Sequence, residues 1–309
     1  MSKSVLVLMG GWSAERAVSL ASGIACANAL SDAGYSVSRV DVKRDLNALI
    51  GSLKSAPDVV FNALHGRFGE DGRVQSLLDI LGLPYTHSGV LASALAMNKQ
   101  SAKTLFAARG IPCPEGKLIS IAEFGDTMPL DPPFVVKPNN EGSSVGVMVI
   151  QKGHNRVALD NWPYGNDVLV EQYIVGRELT VAVLGSQPLG VTELRPHVGF
   201  YDYEAKYTEG KTVHICPAPI PETIAELAME YAVLAHQVLG CRGVSRSDFR
   251  YDDTEYSPGR LYMLEVNTQP GMTPLSLVPE QAAHAGMSMS DLVTWMAVSY
   301  THLTLPTKA

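Results

Sequence analysis

The chain opens by alternating short apolar runs with amphipathic stretches. "SVLVLMGG", residues 4–11, is continuous and apolar and ends in glycines, the mark of a strand buried on both faces. "SAERAVSLASGIACANALSDAG" follows with helical spacing through Val18, Ile24, Ala25 and Leu30, and stops at Gly34. "YSVSRVDV" predicts a second strand, "DLNALIGSLK" a short helix and "DVVFNAL" a third strand. Strands alternating with helices predict a parallel, doubly wound sheet, with functional residues at the carboxyl ends of its strands. Ser13, Glu15 and His65 occupy such ends.

The pattern then changes. "SGVLASALAMNKQSAKTLFAARGIPCP" predicts one or two helices closed by Gly110, Pro112 and Pro114, a proline-bearing stretch that suits a domain boundary. "GKLIS", "FVVKP", "VGVMVI" and "DVLVEQYI" come in quick succession and predict a small antiparallel module. A third region begins near "RELTVAVL". It holds the helix "PETIAELAMEYAVLAHQVLG" and the strands "GVSRSDFRY" and "GRLYMLEVN". The modules drawn from this reading are 1–100, 101–184 and 185–298. "SDLVTWMA" has a helical pattern, but "VSYTHLTLPTKA" continues no face, so residues 299–309 are read as non-native sequence and set aside.

Composition narrows the class. A chain of 309 residues, 46% hydrophobic and 18% charged, can bury two or three cores. A net charge of −7 with no basic run argues against a nucleic-acid partner, whose phosphates need clustered Lys and Arg. No apolar stretch approaches the roughly 20 residues that span a bilayer. The N-terminal run is broken by Gly10, Gly11 and Trp12 and followed by Glu15 and Arg16, so it reads as a strand and not a signal peptide. Cys26, Cys113, Cys216 and Cys241 are far apart, which predicts small buried hydrophobes in a reducing compartment, the cytoplasm.

Two stretches carry candidate chemistry. In "VVKPNNEGSSVGV", residues 135–147, Lys137 ends a strand and Gly142, Ser143, Ser144 and Gly146 follow. This is either a hairpin loop with a solvated lysine or a loop that covers phosphate. In "SRSDFRY", alternation turns Arg246, Asp248 and Arg250 to one face; in "YMLEVNTQPG" it does the same for Glu265 and Asn267. "DDTEYSPG" has turn composition, so the strands pair as a hairpin with Asp248 opposite Glu265 and Asn267. Two carboxylates and an amide oxygen suit a hard cation such as Mg²⁺. The competing reading is a solvated edge hairpin, against which stands an apolar second face at Met263 and Val266. With Lys99 in "AMNKQSAK" as a further cation, the set suits binding and transfer of a triphosphate. No G-x-x-x-x-G-K-[ST] is present, which excludes the Walker architecture, and the "GG" at 10–11 is not a dinucleotide fingerprint.

"GGWSAERAVSL", "ALHGRFGEDG", "KPNNEGSSVGV", "FYDYEAKY", "GVSRSDF" and "LEVNTQPGMTPLSLVP", with the segments that link them, resemble the D-alanine–D-alanine ligase family of the ATP-grasp superfamily, in family order from residue 4 to about 296. The resemblance implies an α/β ATP-grasp fold: an N-terminal doubly wound parallel-sheet domain, a small central α+β domain and a C-terminal α+β domain. It implies an ATP-dependent ligase that joins two D-alanines through an acyl phosphate, for peptidoglycan precursors. Lys99 and Lys137 would contact ATP phosphates beneath the "EGSSVG" loop. Glu171 and the backbone of Gln172 and Ile174 would read adenine, and Glu178 the ribose. Asp248, Glu265 and Asn267 would hold two Mg²⁺ or Mn²⁺ ions. Glu15 would bind the first D-alanine's ammonium, with His65 near its carboxylate. Arg246 and the Gly271 backbone would stabilise the acyl phosphate and the tetrahedral intermediate. Ser276 and Leu277 would receive the second D-alanine's carboxylate. Lys206 and Tyr207 would sit on a lid that meets Ser143. A homodimer is implied on the same ground. The rivals are another ATP-grasp carboxylate–amine ligase, a depsipeptide ligase accepting D-lactate, and a nucleotide-binding protein without turnover.

Overall fold

The computed structural model describes residues 2–124, 128–153, 159, 161–197, 210–254 and 257–299. Strand β1 (Ser4–Gly10) pairs in parallel with β2 (Ser36–Val42) on one side and β3 (Val59–Asn62) on the other. Helix α1 (Arg16–Asp32) lies against β1, but its inward stripe is not the one that hydrophobicity suggests. Ser22, Gly23, Cys26 and Ala27 are buried and Ile24 is 45% exposed. The cause is close approach: a Cβ added at Gly23 would lie 2.4 Å from the Met9 Cβ, so small residues face the sheet and Ile24 faces out.

Helices α2 (Leu46–Leu53) and α3 (Arg73–Ile80) complete the first module's layers. The next predicted helical stretch is two helices, α4 (Val90–Met97) and α5 (Lys99–Ala107). Asn98 divides them: it ends the first in extended backbone and caps the second by accepting from the Ser101 N–H at 2.9 Å.

Strands β4 (Gly116–Ser120), β5 (Phe134–Pro138), β6 (Met148–Ile150) and β7 (Asp167–Gln172) form an antiparallel sheet in the order β4-β7-β5-β6. Strand β6 starts later than "VGVMVI" suggests, because Val145 and Val147 donate within turns to the carbonyls of Gly142 and Ser144. Strands β8 (Arg177–Leu184), β9 (Gln187–Pro196), β10 (Thr212–Ile215), β11 (Val244–Asp252) and β12 (Arg260–Asn267) make a second antiparallel sheet, ordered β10-β9-β8-β11-β12. The central sheet therefore ends at Gln172, and β8 bonds with the strands that follow it.

Strand β8 explains its own unbroken apolar run by serving two cores. Leu179, Val181 and Val183 meet helix α6 (Glu222–Val238), which presents Ile224, Ala228, Ala232 and Ala235 at helical spacing. Ala182 and Leu184 join a core with Val5, Val7, Leu30 and Phe61 of the first module. Helix α7 (Leu277–His284) contributes Val278 and Ala282 to that core, and α8 (Met289–Ser299) contributes Leu292, Val293 and Met296. The first and last thirds of the chain are thus packed together.

A buried amide pair pins this junction. The Asn62 side chain donates to Gln269 Oε1 at 2.8 Å and to the Gly69 carbonyl at 3.0 Å. Gln269 returns a bond to the Asn62 carbonyl at 3.1 Å and another to the Leu64 carbonyl. Substituting Gln269→Ala removes one of the Asn62 amide's two acceptors and the side-chain donor to two carbonyls. It is expected to lower the unfolding free energy by about 1–3 kcal/mol. Urea unfolding checks this: the midpoint falls with the slope unchanged. A midpoint identical to wild type would mean that the pair does not hold the junction.

Candidate active site

Two cavities open along the seam between these layers and meet in the middle. The first encloses about 850 Å³, mouth included, between the carboxyl ends of β1 and β3, the loop after β5 and the segment after β12. Glu15 enters it at the start of α1, and its Oε1 accepts a hydrogen bond from the Ser143 hydroxyl. Gly66 lets backbone close on that carboxylate, and Gly142 stands at contact distance from it. A Cβ at Gly66 would lie 2.8 Å from Glu15 Oε2, and one at Gly142 would lie 3.4 Å from it. Ser143 and Ser144 take φ of +52° and +57°, the left-handed region that non-glycine residues seldom enter and that marks functional loops.

His65 is buried at the floor. Its Nδ1 lies 3.1 Å from Glu70 Oε1 and from the Gln269 carbonyl, and its Nε2 lies 3.1 Å from the Ser22 hydroxyl. Burial pushes the imidazole pKa down, but the Glu70 hydrogen bond and the charges of Glu70 and Glu15 outweigh it, and the net shift is upward. Beside it, Ser22 Oγ accepts from the Met272 N–H at 3.1 Å. Gly271 is held close to the start of α7: a Cβ there would meet Ser276 Oγ at 2.8 Å. Ser276 precedes α7, and Leu277 is its first residue; both line the cavity. The unpaired N–H groups of a helix start favour an anion there.

Strands β11 and β12 supply the wall common to both cavities. Their register sets Asp248 opposite Glu265 and Arg246 opposite Asn267. After Asp248 the register shifts, so Phe249 pairs with Met263 and Leu264 becomes the extra residue. Leu264 and Glu265 therefore both line the second cavity, while Met263 and Val266 both enter the core. Plain alternation would have separated the last two. Arg246 grips Asp248 through two bonds, Nε to Oδ1 at 2.8 Å and Nη2 to Oδ2 at 2.7 Å, and Thr180 donates to Oδ1 at 2.8 Å. Asn267 Oδ1 accepts from the Gln269 N–H at 2.8 Å. Among the described residues no three His, Cys, Asp or Glu side chains are arranged to hold a metal ion by themselves. The donor set here is instead two carboxylates and an amide, all oxygen, which fits a hard divalent cation.

The second cavity, about 770 Å³ with its mouth, lies between the central sheet and the β11–β12 wall. Lys137 of β5 contacts Glu171 Oε1, and Lys103 of α5 lies 2.7 Å from Oε2. Burial would raise the Glu171 pKa, but the two lysine charges and their hydrogen bonds outweigh it and lower the value. Gln172, Ile174 and Glu178 line the same space. Arg250 lies 3.6 Å from Glu178 and donates to the carbonyls of Ile174, at 3.1 Å, and Gly176, at 2.7 Å. At the cavity's other end the Lys99 ammonium lies 3.0 Å from Glu265 Oε2 and donates to the Glu141 carbonyl at 2.5 Å. Lys99, Glu141, Gly142 and Glu265 line both cavities. A group held at this junction can pass from one cavity to the other.

The sequence-predicted residues converge on these two spaces. Glu15, His65, Ser143, Arg246, Asn267, Gly271, Ser276 and Leu277 line the first. Lys137, Glu171, Gln172, Ile174, Glu178 and Asp248 line the second, and Lys99 and Glu265 line both. Lys206 and Tyr207 lie outside the described residues. Sequence reasoning missed Glu70, Lys103, Thr180 and Gln269. Lys103 had a signal, standing four residues after Lys99 in "KQSAK" and so on the same helix face. Glu70 and Gln269 sit in loops, where no period points to them.

Comparison with known proteins agrees with this geometry. Residues 44–88 match the family described as D-ala D-ala ligase N-terminus, and residues 122–297 the one described as D-ala D-ala ligase C-terminus. The chain is 58% identical over 299 residues to a D-alanine–D-alanine ligase of Paramagnetospirillum magneticum, covering 96% of this chain and 98% of that one. It is 56% identical over 301 residues to a D-alanine–D-alanine ligase of Methylorubrum populi, covering 96% and 97%. Among solved structures it is similar to the D-alanine–D-alanine ligase of Bacillus anthracis complexed with ATP, at 28% identity, a TM-score of 0.83 and 98% of each chain.

The Glu171 arrangement generates a stability prediction. Its carboxyl titrates below the ordinary 4.5 when folded, so its contribution is present above pH 4.5 and is lost as pH falls through the folded value. Glu171→Gln leaves two buried ammonium groups without their carboxylate and is expected to cost about 3–5 kcal/mol. Urea unfolding between pH 3 and 7 checks both points. Wild type loses stability on the acid side of this window more steeply than the variant; parallel curves would count against the assignment.

Proposed function

Because the chain belongs to the D-alanine–D-alanine ligase family, and so is an ATP-dependent ligase joining two D-alanines, we propose that its two cavities divide the substrates. Nucleotide occupies the cavity between the central sheet and the β11–β12 wall, and the two D-alanines occupy the other. The junction at Lys99, Glu141, Gly142 and Glu265 is the observation that carries this reading. The product, D-alanyl-D-alanine, serves peptidoglycan synthesis.

A carboxylate is a poor electrophile and oxide a poor leaving group, so the first D-alanine must be activated. Its carboxylate oxygen bonds to the γ-phosphorus as the bond to ADP breaks. The amine of the second D-alanine then attacks the acyl carbon, inorganic phosphate leaves, and the attacking nitrogen sheds a proton.

In this scheme Glu15, held by Ser143, receives the ammonium of the first D-alanine. His65, whose pKa is held up by the Glu70 hydrogen bond and charge, lies toward that substrate's carboxylate. Arg246 and the Gly271 backbone stabilise charge on the acyl phosphate and the tetrahedral intermediate. Ser276 and Leu277, at the start of α7, receive the second carboxylate. Lys99 and Lys137 face the phosphates, Glu171 and the backbone of Gln172 and Ile174 face adenine, and Glu178 faces the ribose. Lys206 and Tyr207 belong to the proposed lid. The oxygen donors Asp248, Glu265 and Asn267 would hold two Mg²⁺ or Mn²⁺ ions, which neutralise phosphate charge when bound.

The working modules are 1–100, 101–184 and 185–298, with β8 joining the third by its hydrogen bonds. The described residues contain no helix long and apolar enough to cross a membrane. A cytoplasmic homodimer completes the proposal.

ADP release coupled to dipeptide formation, with and without D-alanine, tests the reading as a whole. ADP release that ignores D-alanine, or D-alanine that yields no dipeptide, would sink it. Arg246→Ala is expected to lower kcat by about 10²–10³, the usual loss when a donor to a developing oxyanion is removed. A change confined to the KM for ATP would make Arg246 a binding residue instead. Chelation of divalent ions is expected to stop turnover and Mg²⁺ to restore it, with Glu265→Gln losing most activity at saturating Mg²⁺. Full turnover in excess chelator overturns the metal assignment.

A further inference from the structure

Lys103 is a buried lysine that the scheme above leaves without a task. It is 8% exposed and Lys99 is 7% exposed, where lysine is almost never buried unless paired. The two stand four residues apart on α5, about 6 Å along the helix axis, and reach different carboxylates. Lys99 reaches Glu265 at the junction. Lys103 reaches Glu171 Oε2 and the Pro114 carbonyl, each at 2.7 Å.

The cavity's ends differ in kind. Transfer to the amino-acid cavity requires the reactive phosphate at the junction, beside Lys99. The base then lies at the other end, where Val135, Ile174 and Leu264 give apolar walls and Glu171 gives the carboxylate. Each Glu171 oxygen has its own cation, Lys137 on Oε1 and Lys103 on Oε2. The cations are not equivalent. Lys137 lines the cavity, whereas Lys103 is absent from the walls of both cavities and stands behind the carboxylate.

We propose that Lys103 is a positioning residue that sets nucleotide specificity: it clamps Glu171 from behind as a fixed, ionised acceptor for the exocyclic amine of adenine, and releases Lys137 to the phosphates. The proposal rests on the nucleotide placement given above. An ionised carboxylate accepts hydrogen bonds and donates none. It therefore suits the amino group at adenine's 6-position and opposes the carbonyl that guanine carries there. One carboxylate with two ammonium groups holds a surplus positive charge. When phosphate draws Lys137 away, Lys103 still compensates Glu171. Without Lys103, Lys137 is the sole counter-ion of Glu171 and is withheld from the nucleotide, and the acceptor loses its fixed direction.

The test compares wild type, Lys103→Met and Lys103→Arg, with ATP and GTP as alternative nucleotides in dipeptide synthesis. In Lys103→Met the KM for ATP is expected to rise at least tenfold, with kcat within threefold and the KM for D-alanine unmoved. The ratio of kcat/KM for ATP over GTP is expected to fall at least tenfold, and Lys103→Arg to recover both to within threefold of wild type. On a Glu171→Gln background, adding Lys103→Met should change the KM for ATP by less than threefold, because the residue acts through Glu171. Unchanged KM and nucleotide ratio in Lys103→Met would overturn the proposal. So would a tenfold effect of Lys103→Met on the Glu171→Gln background. If Lys103→Met does not accumulate folded, Lys103→Gln, which removes the charge and keeps a polar head, is read in its place, with the same outcomes expected and the same outcomes overturning the proposal. Wild-type protein that makes no dipeptide from ATP would instead overturn the substrate reading itself.

Discussion

The pairing of β11 with β12 is the constraint from which the site is built. Antiparallel register alone faces Asp248 with Glu265 and Arg246 with Asn267. The shift after Asp248 does the rest, giving the cavity two consecutive residues, Leu264 and Glu265, while Met263 and Val266 both fill the core beneath. An apolar wall and a carboxylate, adjacent in one cavity, thus come from one bulge. The strand is held in place from outside as well: Met263 N–H donates to the Pro112 carbonyl at 2.8 Å, tying the wall to the chain that leads into the central sheet.

A second constraint follows from burying so much charge. Glu15, Glu171, Asp248, Lys99, Lys103 and Lys137 are all below 9% exposed, and an isolated ion at such a site would be costly. Each is partnered. Asp248 has Arg246 and Thr180, Glu171 has two lysines, Lys99 has Glu265, and Glu15 has the Ser143 hydroxyl. These contacts keep the site folded, yet several join groups that the proposed reaction needs elsewhere. In the proposed scheme phosphate competes with Glu171 for Lys137 and with Glu265 for Lys99. Nucleotide binding would then be an exchange of partners among buried ions, without stripping solvated charges at each turnover.

Much of this was legible in the chain. The apolar run of β1 announces a strand buried on both faces, "DVVFNAL" announces β3, and "FVVKP" and "DVLVEQYI" announce strands of the antiparallel central sheet. The facing of Asp248 and Glu265 follows from a period of two. What was not legible depends on distance in sequence. A bulge leaves no mark in alternation, so Met263 and Val266 were placed on one face against strict parity. Ile24 reads as a core residue until the closeness of α1 to β1 is known. Strand β8 falls at the edge between the second and third regions, and its pairing with β11, 68 residues later at Thr180 and Asp248, puts it in the third region's sheet. Gln269 is one of many loop amides until Asn62 is found across from it.

The same reasoning explains why the glycine loop carries serines where the backbone would prefer more glycine. Ser143 and Ser144 accept left-handed φ, and glycine would adopt that conformation without strain. Ser143 gains from its side chain a bond to Glu15 that glycine could not make, joining the loop over one cavity to the floor of the other. At the adjacent Gly142 a Cβ would stand 3.4 Å from Glu15 Oε2, the near edge of ordinary contact, so the loop backbone passes close to that carboxylate. The two cavities are therefore coupled through one loop: the backbone that lines the cavity proposed for nucleotide also completes the contacts of the carboxylate proposed to hold the first D-alanine.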